Sequence, residues 1–221
     1  MSTRLVVTLD GPAGVGKTTL AKRLAEALGV AYLDTGAMFR AVAWKLGESA
    51  WDWPEERLGE ALAAMRFSLS GQGRDSRIAL DGAALGDDIR SETVARWASN
   101  VARLPVVRQA LKQAQQDIGR DTSLVVEGRD MGTVVFPDAP CKFFLDAAPE
   151  VRAERRVLQL RQAGQAADFD EILEQIRVRD DQDRNRAVAP LKPAEDAVIV
   201  DTSGLDVDGV FRNILAHIRR G

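Results

Sequence analysis

Short apolar runs alternate with amphipathic stretches along the chain, and this alternation predicts a parallel sheet covered by helices, an α/β fold. Arg4–Leu9 is a nearly all-apolar run, as expected of a strand covered on both faces. A glycine-rich turn follows. A helix then starts at about Lys17, carries Leu20, Leu24 and Leu28 on one face, and ends at Gly29, a natural residue past a helix terminus. Val30–Leu33 reads as a second strand and Ala37–Leu46 as a second helix. Further along come a helix over about Gln109–Gly119 and strands at Leu124–Val126 and Cys141–Leu145. A helix opens at Pro149, where proline suits the first turn, and another runs from about Asp170 towards Arg186. Ala197–Val200 is the fifth strand and Val207–Ile218 the closing helix.

One stretch breaks the rhythm. Between about Gly59 and Asn100, the runs Phe67-Ser68-Leu69 and Ile78-Ala79-Leu80 are separated by turn residues at Gly71–Asp75 and Asp81-Gly82. These are antiparallel hairpin signals, so the stretch is expected to be an insert in an otherwise parallel fold.

Composition narrows the function by exclusion. The chain has 221 residues, 45% of them hydrophobic and 29% charged, enough for one α/β domain with a real core. With one histidine, His217, and one cysteine, Cys141, it can build no Cys/His zinc cluster, no Cys–His dyad and no Ser–His–Asp triad in the pattern those chemistries need. A formal net charge of −3 argues against a nucleic-acid binder. No apolar run approaches the ~18 residues of a membrane span. Met1-Ser2-Thr3-Arg4 runs straight into the first strand, so a cytoplasmic protein is expected.

The turn after the first strand carries the strongest local signal. Gly11-Pro12-Ala13-Gly14-Val15-Gly16-Lys17-Thr18 is a full G-x4-G-K-S/T match, and Thr19 continues it into the helix. Glycines let such a loop turn its N–H groups towards phosphate oxygens, and the helix N-terminus adds partial positive charge. In this motif the lysine reaches the β- and γ-phosphates and the Thr18 hydroxyl is a ligand for Mg²⁺. A dinucleotide-binding reading fails, because the position three after Gly16 is Thr19 rather than glycine. The loop alone does not name a reaction, since GTPases, motor ATPases and small-molecule kinases share it.

Transfer between two phosphates crowds negative charge, which arginine forks neutralise best. Three segments supply arginines. Asp34–Arg40 follows the second strand, and Glu127–Thr133 follows the third, both at positions where α/β sheets place ligands. The third, Arg179-Asp180-Asp181-Gln182-Asp183-Arg184-Asn185-Arg186, ends a helix and is closed by Ala187-Val188-Ala189-Pro190.

The loop, the segment Asp34–Arg40, Gly128–Pro137 and Arg179–Pro190 together resemble bacterial cytidylate kinases, in order and over essentially the whole chain. The resemblance implies a single P-loop kinase domain over residues 1–221, with a five-stranded parallel sheet. Its core covers about 1–33, 105–160 and 190–221, a nucleotide-acceptor region with the insert about 34–104, and a mobile lid about 161–189. It further implies that Arg40, Arg129, Arg179 and Arg186 hold the acceptor phosphate or the transferring group. Thr35, Ser99, Arg108 and Asp130 would contact CMP, the last three around the base, and Asp183 would lie near the ribose. Two residues depart from the pattern: Gln182 stands where arginine is common, and Glu127 where aspartate is expected.

The expected reaction is transfer from ATP·Mg²⁺ to CMP or dCMP by a monomeric enzyme, with no nucleic acid or membrane as partner. UMP, AMP or a shikimate-like alcohol remains a possible acceptor on the residues alone, although an alcohol usually requires a carboxylate base. A regulatory switch lacks its Asn-Lys-x-Asp guanine motif. For adenine, only Arg155 and Thr202-Ser203-Gly204 are candidates.

Overall fold

The computed structural model describes residues 4–204 and 206–220. The Met1–Thr3 leader to the first strand therefore lies outside the described residues. In chain order, the first elements are β1 (Val6–Asp10), α1 (Lys17–Leu28), β2 (Ala31–Asp34) and α2 (Thr35–Leu46). The inserted region holds α3 (Glu55–Ala63), β3 (Phe67–Ser70), β4 (Arg77–Leu80), β5 (Ala83–Ala84) and α4 (Glu92–Val101). Then follow α5 (Pro105–Asp121), β6 (Leu124–Gly128), β7 (Cys141–Asp146), α6 (Pro149–Gln162), α7 (Phe169–Asn185), β8 (Val198–Asp201) and α8 (Val207–Ile218).

Five strands form one parallel sheet in the order β2-β6-β1-β7-β8. The central strands alternate their apolar side chains between two separate cores. Val7, Leu9 and Val125 pack with Leu20 and Leu24 of α1 and Ile214 of α8. Leu124 and Val126 pack on the opposite face with Met38 and Val42 of α2 and Val107 and Leu111 of α5. Each fully buried leucine contributes roughly 1.5–3 kcal/mol. This two-sided burial is why β1 and β6 read as continuous apolar runs. No helix among the described residues is long and apolar enough to cross a membrane.

The insert builds its own antiparallel sheet, β3-β4-β5, so the hairpin signals are realised at Phe67–Leu69 and Ile78–Leu80. It is not hairpin throughout, however. Ser91 caps α4 by accepting from the Val94 N–H, and that helix carries Ser99. The insert is also fastened to the core. Its turn at Gly73–Asp75 donates the Gly73 N–H to the Val30 carbonyl at 2.8 Å, and Ser76 Oγ accepts from the Tyr32 N–H at 2.9 Å.

Three other boundaries differ from the expectations, each for a local reason. Asp34 ends β2 and at the same time caps α2, accepting from the Ala37 N–H at 2.9 Å, so the helix expected from Ala37 begins two residues earlier, at Thr35. Glu127 and Gly128 belong to β6, because they pair with Leu9 and Asp10 of β1. The Gln109–Gly119 helix begins earlier, at Pro105, and the following segment Met131–Val135 winds into a single wide π turn.

Candidate active site

At the C-terminal edge of the sheet, the loop between β1 and α1 folds back on β7. Gly11 has φ of 147°, and a Cβ placed there would stand 2.1 Å from the Leu145 carbonyl oxygen. Glycine is thus required by both torsion and space. Lys17 is buried, and its Nζ donates to the carbonyls of Gly11 and Pro12 at 2.8 and 2.6 Å. Burial, followed by the Arg129 guanidinium, pushes its ammonium well below the usual lysine range; Arg179 adds to this, while Glu127 and Asp10 oppose it. The cation is held ready with too little counter-charge.

Next to it, the Thr18 hydroxyl donates to Glu127 Oε2 at 3.1 Å, and the Tyr32 hydroxyl donates to the other carboxylate oxygen. Burial, and after it the Asp34 charge, pushes the Glu127 carboxyl upward. The Thr35 hydroxyl donates to the Glu127 carbonyl at 2.7 Å, which ties α2 to the end of β6. Thr18, Glu127 and Asp34 gather hard oxygen donors beside the loop. That is the donor type Mg²⁺ takes together with nucleotide phosphates, so the residues fit the ion. No group of three or more His, Cys, Asp or Glu that could hold a metal unaided occurs among the described residues.

The arginines converge onto a cleft of about 240 Å³ from α2, α5, α7 and the segments that follow α4 and β6. Arg129 Nε donates to Asp183 Oδ2 at 2.7 Å across the gap between β6 and α7. Burial works to raise the Asp183 carboxyl, but Arg129, with Arg179 and Arg186, outweighs it and holds the group below its ordinary value. Arg179 is pushed down to about 10 by burial and then by the neighbouring Arg129 and Arg40, with Asp183 opposing. Seven cationic side chains (Lys17, Arg40, Arg103, Arg108, Arg129, Arg179, Arg186) line the cleft against four carboxylates (Asp34, Glu127, Asp130, Asp183). A chain with net charge −3 has concentrated its positive charge here, as a polyanion site requires.

Asp130 forms the far end of the cleft. Its Oδ2 accepts from Arg108 Nη2 at 2.5 Å and its Oδ1 from Arg186 Nη2 at 3.3 Å. The Ser99 hydroxyl lies 3.4 Å from Gln182 Oε1, so the departing residue Gln182 reaches across from α7 to α4. The segment carrying Arg129 and Asp130 is itself fixed by Asp10, whose two carboxylate oxygens accept the N–H groups of Met131 and Gly132, each at 2.8 Å.

Burial raises the Asp10 carboxyl from 3.8 to about 6, with the two N–H donors opposing and Asp130 assisting. The folded protein thus keeps this proton to higher pH than the unfolded chain. Asp10 contributes most to stability below about pH 4, and that contribution is lost as pH rises through 6. An Asp10→Asn variant should therefore gain on the wild type by about 2–3 kcal/mol in urea unfolding between pH 4 and 7, at about 1.4 kcal/mol per unit. A stability difference that stays flat across that range would show that Asp10 is ionised throughout.

Every expected side chain beyond the loop itself lines the one cleft: Thr35, Arg40, Ser99, Arg108, Arg129, Asp130, Arg179, Asp183 and Arg186, with Lys17 and Thr18. Of the loop, Ala13 and Gly14 line it, Val15 turns into the core beneath, and Thr19 is exposed on α1. The adenine candidates lie behind the loop, where Arg155 Nη1 donates to Thr202 Oγ1 at 3.2 Å. Sequence reasoning missed Asp10, Tyr32, Arg103, Arg152 and Asp180. For Asp10 a signal existed, an acidic residue ending an otherwise apolar strand directly before the phosphate loop.

A strand–loop–helix phosphate cradle facing convergent arginines, at the C-terminal edge of a parallel sheet covered by helices, defines a P-loop kinase. The chain belongs to the cytidylate kinase family, whose model, described as cytidylate kinase, matches residues 7–220. A protein named cytidylate kinase from Maridesulfovibrio salexigens is 61% identical over 215 residues, covering 97% of this chain and 96% of that one. One of the same name from Nitratidesulfovibrio vulgaris strain DP4 is 61% identical over 214 residues, covering 97% and 92%. A third, from Oleidesulfovibrio alaskensis, is 57% identical over 219 residues, covering 99% and 100%.

Proposed function

We propose that this protein phosphorylates CMP and dCMP with ATP, giving CDP and dCDP by in-line transfer, in pyrimidine nucleotide metabolism. The observation that carries this reading is the convergence of Lys17, Arg40, Arg129 and Arg179 on one cleft, where burial and the neighbouring Arg129 guanidinium hold both Lys17 and Arg179 below their ordinary values, a burden that phosphate groups relieve. Family membership supports the nucleotide acceptor and the use of ATP.

In this reading the loop and Lys17 cradle the ATP phosphates. Arg40 and Arg129 grip the acceptor phosphate, and Arg179 and Arg186 come from the lid to neutralise the transferring group. Thr18 and Glu127 are the residues that would hold Mg²⁺, the latter through its longer arm; when bound, the ion screens charge between the nucleotide phosphates. An acceptor phosphate is already ionised near neutrality, so positioning rather than a general base does the main work. Ser99, Arg108 and Asp130 surround the base, and Thr35 and Asp183 lie between base and phosphate. The cleft draws all of these from a single chain, which fits a monomer. Residues 34–104 form the acceptor side and 161–189 the lid.

The test is a coupled assay of ADP release against CMP, dCMP, UMP, AMP and dTMP. CMP and dCMP should turn over best, with kcat/KM at least tenfold above UMP and AMP. Equal use of AMP would overturn the acceptor, and the absence of turnover with any mononucleotide would overturn the enzyme class.

A further inference from the structure

Behind the cleft, one buried arginine joins the phosphate loop to the lid helix. Arg152 of α6 is 1% exposed. Its Nε donates to the Ala147 carbonyl at 2.9 Å, anchoring the guanidinium to its own helix start. Its Nη1 donates to the carbonyl of Ala13, within the phosphate loop, at 3.1 Å, and to Asp180 Oδ1 at 3.0 Å. Its Nη2 donates to the other Asp180 oxygen, completing a two-pronged pair. The loop also leans on this side chain: a Cβ at Gly14, where φ is 84°, would come within 3.3 Å of Arg152 Cβ.

Asp180 sits between the cleft-lining residues Arg179 and Asp183 on α7, but on the side of the helix turned towards α6. Neither Arg152 nor Asp180 lines the cleft. The other ion pairs along this seam, Arg177–Glu150 and Arg184–Asp146, are about half exposed and have no bond to the loop. Exposed pairs of that kind set little, whereas a buried fork fixes both distance and orientation.

We infer that Arg152 and Asp180 are positioning residues for the transfer, a buried strut that sets Arg179 on the lid against the phosphate loop and couples occupancy of the loop to closure of α7. This rests on the kinase reading above. Arg152 touches no substrate; it acts through Ala13 on one side and Arg179 on the other. Reacting groups displaced by about 1 Å lose on the order of 10²-fold in rate, so a slack strut should appear in kcat rather than in nucleotide affinity.

Two variants test it in the full-length enzyme. Asp180→Asn keeps the shape and one acceptor oxygen, and Arg152→Lys keeps the charge but cannot fork. Each should lower kcat ten- to a hundredfold with KM for ATP changed less than threefold, and the double variant should be no worse than the poorer single. A kcat within twofold of wild type in either folded variant would overturn the proposal. A second measurement is hydrogen exchange with and without ADP. ADP alone should slow exchange in residues 177–184 severalfold as well as in the loop, and Asp180→Asn should lose the former and keep the latter. Protection confined to residues 11–19 would overturn the coupling alone, leaving the kinase reading intact. Protection in neither segment would overturn the nucleotide assignment and this inference with it.

Discussion

Replacing Lys17 with alanine is expected to lower kcat at least a hundredfold while leaving stability against unfolding unchanged or slightly raised. The two halves of this expectation have one cause. In the free protein the Lys17 ammonium is buried, faces Arg129 and Arg179, and finds mainly the carbonyls of Gly11 and Pro12 as partners. Its charge is a burden there, so removing it does not weaken the fold. In the proposed reading, with ATP bound the same charge would meet the phosphates. Losing one preorganised partner of a developing charge costs about 10²–10³ in kcat. Steady-state kinetics beside a urea melt of the same preparation give both numbers. An alanine variant that keeps more than a tenth of the wild-type kcat, or one that unfolds, contradicts this account of Lys17.

The second large effect concerns the base. Cytosine offers an N4 amino donor beside the N3 and O2 acceptors, and uracil reverses the outer pattern with an O4 acceptor beside an N3–H. A carboxylate at Asp130 accepts from N4–H₂, as acidic side chains do when reading cytosine. In the proposed reading Arg108 would donate to N3 or O2. Each Asp130 oxygen already accepts one arginine bond and keeps a further lone-pair site for the base. Facing uracil, Asp130 meets O4 with lone pairs opposed and Arg108 meets an N–H. Leaving such groups unpaired in a closed site costs about 1–3 kcal/mol each, so CMP should exceed UMP by ten- to a few-hundred-fold in kcat/KM. Asp130→Asn brings a donor towards O4 and leaves only one oxygen for Arg108 and Arg186. It should shrink the preference, chiefly by losing CMP. An unchanged ratio would falsify the base-reading role of Asp130.

Where the chain repeats a period, the fold could be read from it. Leu20, Leu24 and Leu28 placed α1 to the residue, and the apolar runs at 4–9 and 124–126 placed the central strands. The helix α4 escaped although Val94, Trp97, Ala98 and Val101 repeat at helical spacing, because the turn signals around Phe67–Leu80 drew the whole stretch into a hairpin reading. The cleft was legible because phosphate chemistry leaves dense marks, glycines around a lysine and arginines after strands. Arg152 left no such mark. It stands on α6 among Arg155, Arg156 and Arg161, and nothing in the spacing tells which of them turns inward. Asp180 was likewise hidden inside an alternating run of charge.

The strand order β2-β6-β1-β7-β8 has a consequence for how the chain assembles on leaving the ribosome. β1 pairs only with β6 and β7, and β2 only with β6. Among the described residues before Ser123 there is no strand partner for either, although the apolar edges of both have already emerged. By contrast, β3, β4 and β5 are joined by short turns and can close on one another at once. The insert is thus expected to fold first, as a local, low-contact-order unit. The phosphate loop, which depends on β1 being seated, forms only when Leu124–Gly128 arrives. Nascent chains truncated before residue 124 should hold a protease-resistant insert beside an open, chaperone-binding N-terminus.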